Sequence, residues 1–286
     1  MQYFIGVDSG GTFTDAVAAD ETRRFAVYDT ERLHLTAAGH GIEVARSAGI
    51  FGGYPGSCNL NVVATPGAVL EIVERRRSLP YSLKDLGEEL EFLEACTPSK
   101  WMGKDQVVYY RETGGGGYGD PLDRDPELVL ADVVNERVSP GCARDIYGVA
   151  LEPEALRVSR AETERLRSIL RQSRLQSWEH QSAHPEGRVD APSTLLGEYL
   201  EIARTGSGPI VRCARCGHTS CTAAQNPKKF AAMAEVPYSK ARPWFPDQGK
   251  SRFFLREFYC PGCATRFEVE VTDRETPILH DIELSL

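Results

Sequence analysis

The sequence predicts an α+β chain: a small mixed β/α N-terminal domain, a helical linker, and a C-terminal ribbon held by cysteines. Three observations carry this. Two cysteine pairs, Cys213-Ala-Arg-Cys216 and Cys260-Pro-Gly-Cys263, each follow strand-like sequence. Short aliphatic and aromatic runs, such as Tyr3 to Asp8, Asp105 to Thr113 and Phe253 to Tyr259, end at glycine or proline and read as strands. Helix-start signals stand between them at Asp125-Pro126, Ser139-Pro140 and Ser159 to Glu162.

The chain has 286 residues, enough for about two domains. Its net charge of −8 argues against a general grip on nucleic acid, because phosphate binding needs a basic surface. No run approaches the roughly 20 apolar residues that span a bilayer. The start, Met1 to Asp8, turns polar too soon for a signal peptide. Eight cysteines, five of them from residue 213 onward, fit a reducing compartment with metal better than a disulfide scaffold. The expectation is a cytoplasmic protein that binds neither nucleic acid nor membrane.

Taken in order, Tyr3 to Asp8 is a strand, Gly10-Gly11 a tight turn, and Thr12 onward a second strand. The two glycines leave backbone N–H groups open to an anion. Thr12 and Thr14 can donate hydroxyls, and Asp8 can hold a hydrated magnesium ion. Arg24 to Tyr28 suits a further strand. Gly39 to Gly56 is rich in breakers and reads as a loop, with His40 structural or exposed. Residues 68–96 carry helical spacing in part, and their charge runs suit a solvated face. Cys58, Cys96 and Cys142 lack paired spacing and read as ordinary thiols.

After the strand at Asp105 to Thr113 comes a glycine run, Gly114 to Gly117, and then small helices capped at Asp125 and Ser139. Ser159 and Glu162 predict a capping box for a helix running to about Trp178, with Leu166, Ile169, Leu170 and Leu175 at helical spacing. Glu179 to Pro192 is polar and breaker-rich, a linker that contains His180 and His184. Thr194 to Ala203 suits a short helix stopped by Gly206 and Gly208.

The chemistry concentrates in the last third. Two cysteines separated by two residues can aim both sulfurs at one ion, and two such pairs supply the four sulfurs of a tetrahedral zinc site. Cys213, Cys216, Cys260 and Cys263 are therefore the expected ligands, and four sulfurs leave no open position for water. The zinc would be structural.

Three stretches carry family resemblances. Gly-Val-Asp8-Ser-Gly10-Gly11-Thr12-Phe-Thr14-Asp15 resembles the phosphate loop that opens the hydantoinase A and oxoprolinase family. Only about twenty residues match, too few for that family's nucleotide cleft, so Asp8, Gly10, Gly11 and Thr12 read as a vestigial phosphate loop. The string from Gly114 through Asp120-Pro-Leu-Asp123-Arg-Asp125-Pro to Ala143-Arg-Asp-Ile-Tyr147-Gly-Val resembles the closing part of hydantoinase B, and Gly49-Ile-Phe-Gly52-Gly-Tyr-Pro-Gly56 resembles a segment of the same family slightly upstream. From Val211 onward, Cys216-Gly-His218, Cys221, Arg256-Glu-Phe-Tyr-Cys260-Pro-Gly-Cys263 and Ile278-Leu-His280-Asp281 resemble the gamma-type zinc subunit of acetone and acetophenone carboxylases. That family's first knuckle has a single residue between its cysteines, where this chain has two. Cys221 is therefore an alternative ligand to Cys213, and His218 a further candidate.

These resemblances imply four parts: a hydantoinase A-like β-hairpin (1–36), a hydantoinase B-like segment (37–152), a helix and linker (153–192) and a zinc-ribbon domain (193–286). They imply a subunit of an ATP-dependent, biotin-independent ketone carboxylase. Its partners would be hydantoinase A-like and hydantoinase B-like subunits, and those would bind ATP and Mg2+. The alternatives are a component of an ATP-dependent cyclic amide hydrolase of the hydantoinase kind, or a non-catalytic zinc-binding adaptor.

Overall fold

Among the described residues strands outnumber helices, and nearly all of their pairings are antiparallel. The computed structural model describes residues 5–6, 32–38, 41–65, 89–93, 96–103, 106–111, 113–135, 137–152, 156–176, 192–240 and 252–283. These divide between two compact units. Asp8, Gly10, Gly11, Thr12, His40, His180, His184 and the expected strand at Arg24 to Tyr28 lie outside the described residues.

The first unit draws on residues up to 47 and on 56–115. Its main sheet sets β1 (Ile5–Gly6) parallel to β6 (Val107–Arg111), then β3 (Leu60–Ala64) and β4 (Leu90–Phe92). A separate ribbon pairs β2 (Arg32–Ala38) with β5 (Cys96–Gly103). All five residues of β3 are buried, and Val63, Leu93 and Met102 cluster into a core with Leu35 and Val108 against it. The end of the helix expected over 68–96 is instead β4 and the start of β5. Short aromatic and β-branched runs paired across a ladder outweigh a weak helical period.

The second unit holds residues 48–55, 116–240 and 247–286. Two short helices open it, α1 (Pro126–Val134) and α2 (Pro140–Asp145), each with proline at its start. The Asp125 carboxylate accepts from the Glu127 N–H at 2.8 Å, and the Ser139 hydroxyl from the Cys142 N–H at 3.1 Å. Val129, Val138, Ala143, Tyr147 and Val149 fill the core between them, beside the small hairpin β7 (Leu151–Glu152) and β8 (Arg157–Val158).

Helix α3 (Arg160–Arg174) begins at Ser159, but the capping box does not form. The Ser159 N–H donates to the Ala150 carbonyl at 2.9 Å and the Glu162 carboxylate pairs with Arg165, so neither half of the reciprocal cap is made. The inward stripe of α3 is arginine more than leucine. Arg167 donates to the Tyr147 and Arg124 carbonyls, Arg171 to Asp123 and Arg174 to Asp120.

The C-terminal part folds as two antiparallel sheets. One runs β12 (Thr219–Thr222), β11 (Gly208–Cys213), β10 (Leu200–Thr205), β9 (Thr194–Leu196). The other runs β13 (Ala232–Pro237), β14 (Phe253–Tyr259), β15 (Arg266–Asp273). Leu200, Val211, Cys221, Ala223, Ala231, Phe258 and Phe267 form the buried cluster. The helix expected at Thr194 to Ala203 is thus a hairpin, because Gly197 at φ +75° turns the chain back within it. Gly206 and Gly208 belong to the next hairpin turn rather than to a helix end.

Candidate metal centre

Each cysteine pair closes a turn at the end of a β-strand, and the two turns share one hydrogen-bond scheme. At the first, the Cys213 N–H donates to the His218 carbonyl at 2.8 Å, and the Gly217 N–H to the Cys213 carbonyl at 2.9 Å. At the second, the Cys260 N–H donates to the Thr265 carbonyl at 2.9 Å, and the Ala264 N–H to the Cys260 carbonyl at 2.8 Å. The residue after the second cysteine is left-handed in both, Gly217 at φ +74° and Ala264 at φ +57°. This curl turns backbone donors inward and brings both sulfurs of a pair to one side.

The two turns face each other. Cys213 Sγ lies 3.8 Å from Cys263 Sγ, and Cys216 Sγ lies 3.6 Å from Cys260 Sγ. All four sulfurs fall within 4.8 Å of one another. A zinc ion bonded to four sulfurs at about 2.3 Å sets those sulfurs about 3.8 Å apart. Two of the sulfur pairs stand at about that distance and all four lie close enough together that the cluster can hold such an ion. Cys213 and Cys260 are buried, Cys263 is half-buried and Cys216 is exposed, so one side of the cluster meets solvent.

Four sulfurs this close cannot all ionise without a cation to balance them. Hydrogen bonding with Cys213 and Cys263, then burial, pushes the Cys260 thiol far up. Hydrogen bonding from Cys213 and Cys260 holds the Cys263 thiol far down despite burial, and the Thr265 hydroxyl at 3.2 Å adds to this.

Cys221 and His218 are not among the four residues whose ligand atoms cluster. Cys221 sits in the apolar core with its Sγ 3.7 Å from the Gln225 carbonyl, and burial pushes its thiol up to about 11. His218 packs over the second turn. A methyl group at Gly262 would come within 2.8 Å of His218 Cβ and 3.0 Å of Cys216 Sγ, so the Pro-Gly between Cys260 and Cys263 is what lets the turns meet. His280 and Asp281 lie on the exposed tail, where Lys228 pairs with Asp281.

Around the sulfurs runs a charged network that spacing did not reveal. The Asp120 carboxylate is fully buried and takes Arg174 on both oxygens, at 2.6 and 2.9 Å. It also accepts the N–H groups of Leu122 at 3.1 Å and Arg266 at 3.0 Å. Burial alone would raise the Asp120 carboxyl, but Arg174, helped by the Arg266 amide, holds it below the usual carboxylate range. Arg174 donates to the Ala264 carbonyl at 2.8 Å and lies over the Tyr259 ring at 5.0 Å. Arg215, inside the first turn, pairs with Asp123. Arg266 donates to the Gly52 carbonyl at 2.7 Å and stacks 3.7 Å from the Tyr54 ring centroid. Gly52, at φ +86°, has no room for a side chain: a methyl there would strike the Arg266 carbonyl oxygen at 2.1 Å. The one advance sign was the repeat of arginine at 167, 171 and 174, one face of a helix.

Among the described residues, no helix is long and apolar enough to cross a membrane. Residues 196–286 match the family described as acetone carboxylase gamma subunit. The chain is 27% identical over 153 residues to the acetophenone carboxylase delta subunit of Aromatoleum aromaticum, covering 50% of this chain and 22% of that one. It is 27% identical over 180 residues to the acetone carboxylase alpha subunit of Xanthobacter autotrophicus, covering 57% and 22%. The chain thus spans about a fifth of the length of these relatives. Among solved structures, it is similar to nucleotide-free acetone carboxylase (TM-score 0.41, 23% identity, covering 51% of this chain and 21% of that one). It is also similar to the ATP-dependent caprolactamase of Pseudomonas jessenii (TM-score 0.37, 22% identity, covering 58% and 25%). The four-sulfur cluster thus lies within residues 196–286, the stretch that matches the acetone carboxylase gamma subunit family.

Proposed function

We propose that this chain is a structural, linking subunit of an ATP-dependent, biotin-independent ketone carboxylase. The observation that carries the reading is the close cluster of Cys213, Cys216, Cys260 and Cys263 inside the stretch that matches the gamma family. Zinc is the ion that fits: four thiolates are soft ligands, and a closed shell of four suits it. Bound there, it contributes folding free energy rather than a reactive water. The chain's own residues then do the linking. Arg174, Arg215 and Arg266 tie the metal-bearing turns to Asp120, Asp123 and the Gly52 loop.

The alpha-subunit likeness covers 57% of the chain, too much to fit within residues 196–286. This chain therefore reads as joining an alpha- or delta-type segment to a gamma-type domain, with a vestigial phosphate loop at Asp8, Gly10, Gly11 and Thr12. In the assembled enzyme, hydantoinase A-like and B-like partners would bind ATP and Mg2+. ATP would transfer phosphoryl groups to bicarbonate and to the enol oxygen of the ketone, and both would leave as inorganic phosphate as the enol carbon bonds to the carboxyl carbon.

The test is purification of the chain from its own cells with whatever it binds. The expected result is one zinc per chain, two larger partners, and consumption of a ketone that requires both ATP and bicarbonate. ATP-driven opening of a cyclic amide by the same complex would replace the carboxylase with a hydrolase. A partner-free monomer with its zinc would leave an adaptor.

A further inference from the structure

Where the two C-terminal sheets meet the tail, the core leaves a cavity of about 80 Å3. Leu196 from β9, Val211 from β11, Ala223 just past β12 and Phe267 from β15 give it apolar walls. His280 and Asp281 of the tail complete the lining on one side. Three contacts hold the tail there. Arg256 donates to the Thr276 carbonyl at 3.3 Å, Asn226 donates to the Leu279 carbonyl at 2.8 Å, and Lys228 pairs with Asp281. The Ile278-Leu-His280-Asp281 motif thus has a place in the molecule as part of a pocket wall.

The charges on this wall do not balance. Glu268 and Glu270 stand two apart on β15 and so share a face of the strand. Glu270 is opposite Arg256, which reaches it at 3.3 Å, and Lys228 takes its other oxygen at 2.5 Å. Glu268 is opposite Phe258 instead. Among the described residues no lysine or arginine pairs with it, and its carboxylate accepts the Val269 N–H at 2.9 Å. Two cations, Lys228 and Arg256, therefore meet three carboxylates, Glu268, Glu270 and Asp281, and one negative charge is left over. Burial pushes the Glu268 carboxyl up, against the pull of the Val269 N–H and of Lys228. A half-buried carboxylate gains most from a cation that completes its pairing. Among the described residues these carboxylates do not gather into a group of metal-binding size, so an organic cation suits the place better than a metal ion.

We infer that this pocket binds a small organic ammonium ion, with its carbon chain against Val211, Ala223 and Phe267 and its charged head on the Glu268 carboxylate. Size limits the chain. An apolar cavity of about 150 Å3 takes benzene, so one of about half that volume takes a chain of roughly three or four carbons. The exposed rim at His280 leaves the head in contact with water. The inference stands on these walls and charges, whatever reaction the chain serves.

The experiment titrates the full chain with n-butylammonium, with zinc present in an amine-free buffer, and reads calorimetry and amide chemical shifts. The expected result is saturable binding with a dissociation constant on the order of 1 mM or tighter. Amides at Ala223 and from Phe267 to Val269 should shift, while those in 60–64 stay where they are. Methylammonium keeps the charge without the chain and should bind about tenfold or more weakly, which separates the pocket from the general pull of a negative protein. Butan-1-ol keeps the chain without the charge and should also bind about tenfold or more weakly. Butyrate should not bind. Glu268→Gln keeps the shape, removes the charge and should weaken butylammonium by about tenfold or more. If that variant does not fold, the four probes on the unaltered chain decide the matter. No saturable binding of butylammonium would overturn the inference. So would butyrate, butan-1-ol or methylammonium binding as tightly as butylammonium, or a folded Glu268→Gln that binds like the parent.

Discussion

Stripping the metal tests the physical role assigned to the cysteine cluster. In isolated fingers a four-ligand zinc site contributes about 10–16 kcal/mol of binding at neutral pH. A domain is stable by only about 5–15 kcal/mol in total. The ion therefore holds an amount comparable to the whole margin, and the part it holds cannot stay ordered without it. The turns carrying the sulfurs terminate β11 and join β14 to β15, and those strands bring Val211, Phe258 and Phe267 into the core. Chelation should reach 208–222 and 253–273 first, and then α3 through Arg174 at the Ala264 carbonyl. The first unit has its own core around Val63, Leu93 and Met102 and should not respond. Hydrogen exchange followed by mass spectrometry, before and after an excess of chelator, reads this directly. Amides in 208–222 and 253–273 should lose protection by several orders of magnitude, while those in 60–64 and 107–111 keep theirs. Equal protection in both samples, with the metal shown to be gone, would refute the structural role.

Three further outcomes follow from particular contacts. Cys213→Ala should lose the metal, whereas Cys221→Ala should keep one ion per chain and cost only about 1 kcal/mol of core packing, as read by metal analysis and urea melts. Gly52→Ala combines a left-handed backbone with a methyl 2.1 Å from the Arg266 carbonyl oxygen, and should destabilise by about 2–4 kcal/mol in urea titration. A loss under 1 kcal/mol would mean that the loop does not sit against β15. The Asp120 carboxyl is held below its unfolded value near 3.9, so its contribution is complete above that pH and lost as pH falls through the lower, folded value. The stability gap between the parent and Asp120→Asn should therefore shrink from pH 5 to pH 2.5, and a gap that does not change with pH would contradict this.

The cysteine spacing made the centre legible before any coordinates, because two residues between sulfurs leave few other uses for the pattern. The caps at Asp125 and Ser139 were equally plain, since each is a local bond that needs no tertiary partner. What failed was local reading where long-range contacts decide. Leu195, Leu196 and Leu200 look helical until Gly197 folds the chain back on itself. Ser159 looks like a reciprocal cap until the Ala150 carbonyl takes its N–H and Arg165 takes the glutamate. The charged network escaped notice because Asp120 and Arg266 lie 146 positions apart, and nothing near either of them marks the pairing.

The two halves of the sulfur cluster also lie far apart in the chain, with Cys216 and Cys260 separated by 44 positions. Whatever binds there ties the ends of a long excursion to a single point. The entropic penalty of closing a loop grows only with the logarithm of its length, about 0.6 kcal/mol for each doubling. The excursion can thus lengthen or shorten over generations at small thermodynamic expense, provided β13 still finds the edge of β14. The turns themselves have less latitude, because each must keep both of its sulfurs on one side, so change in this region is channelled into the stretch between the anchors.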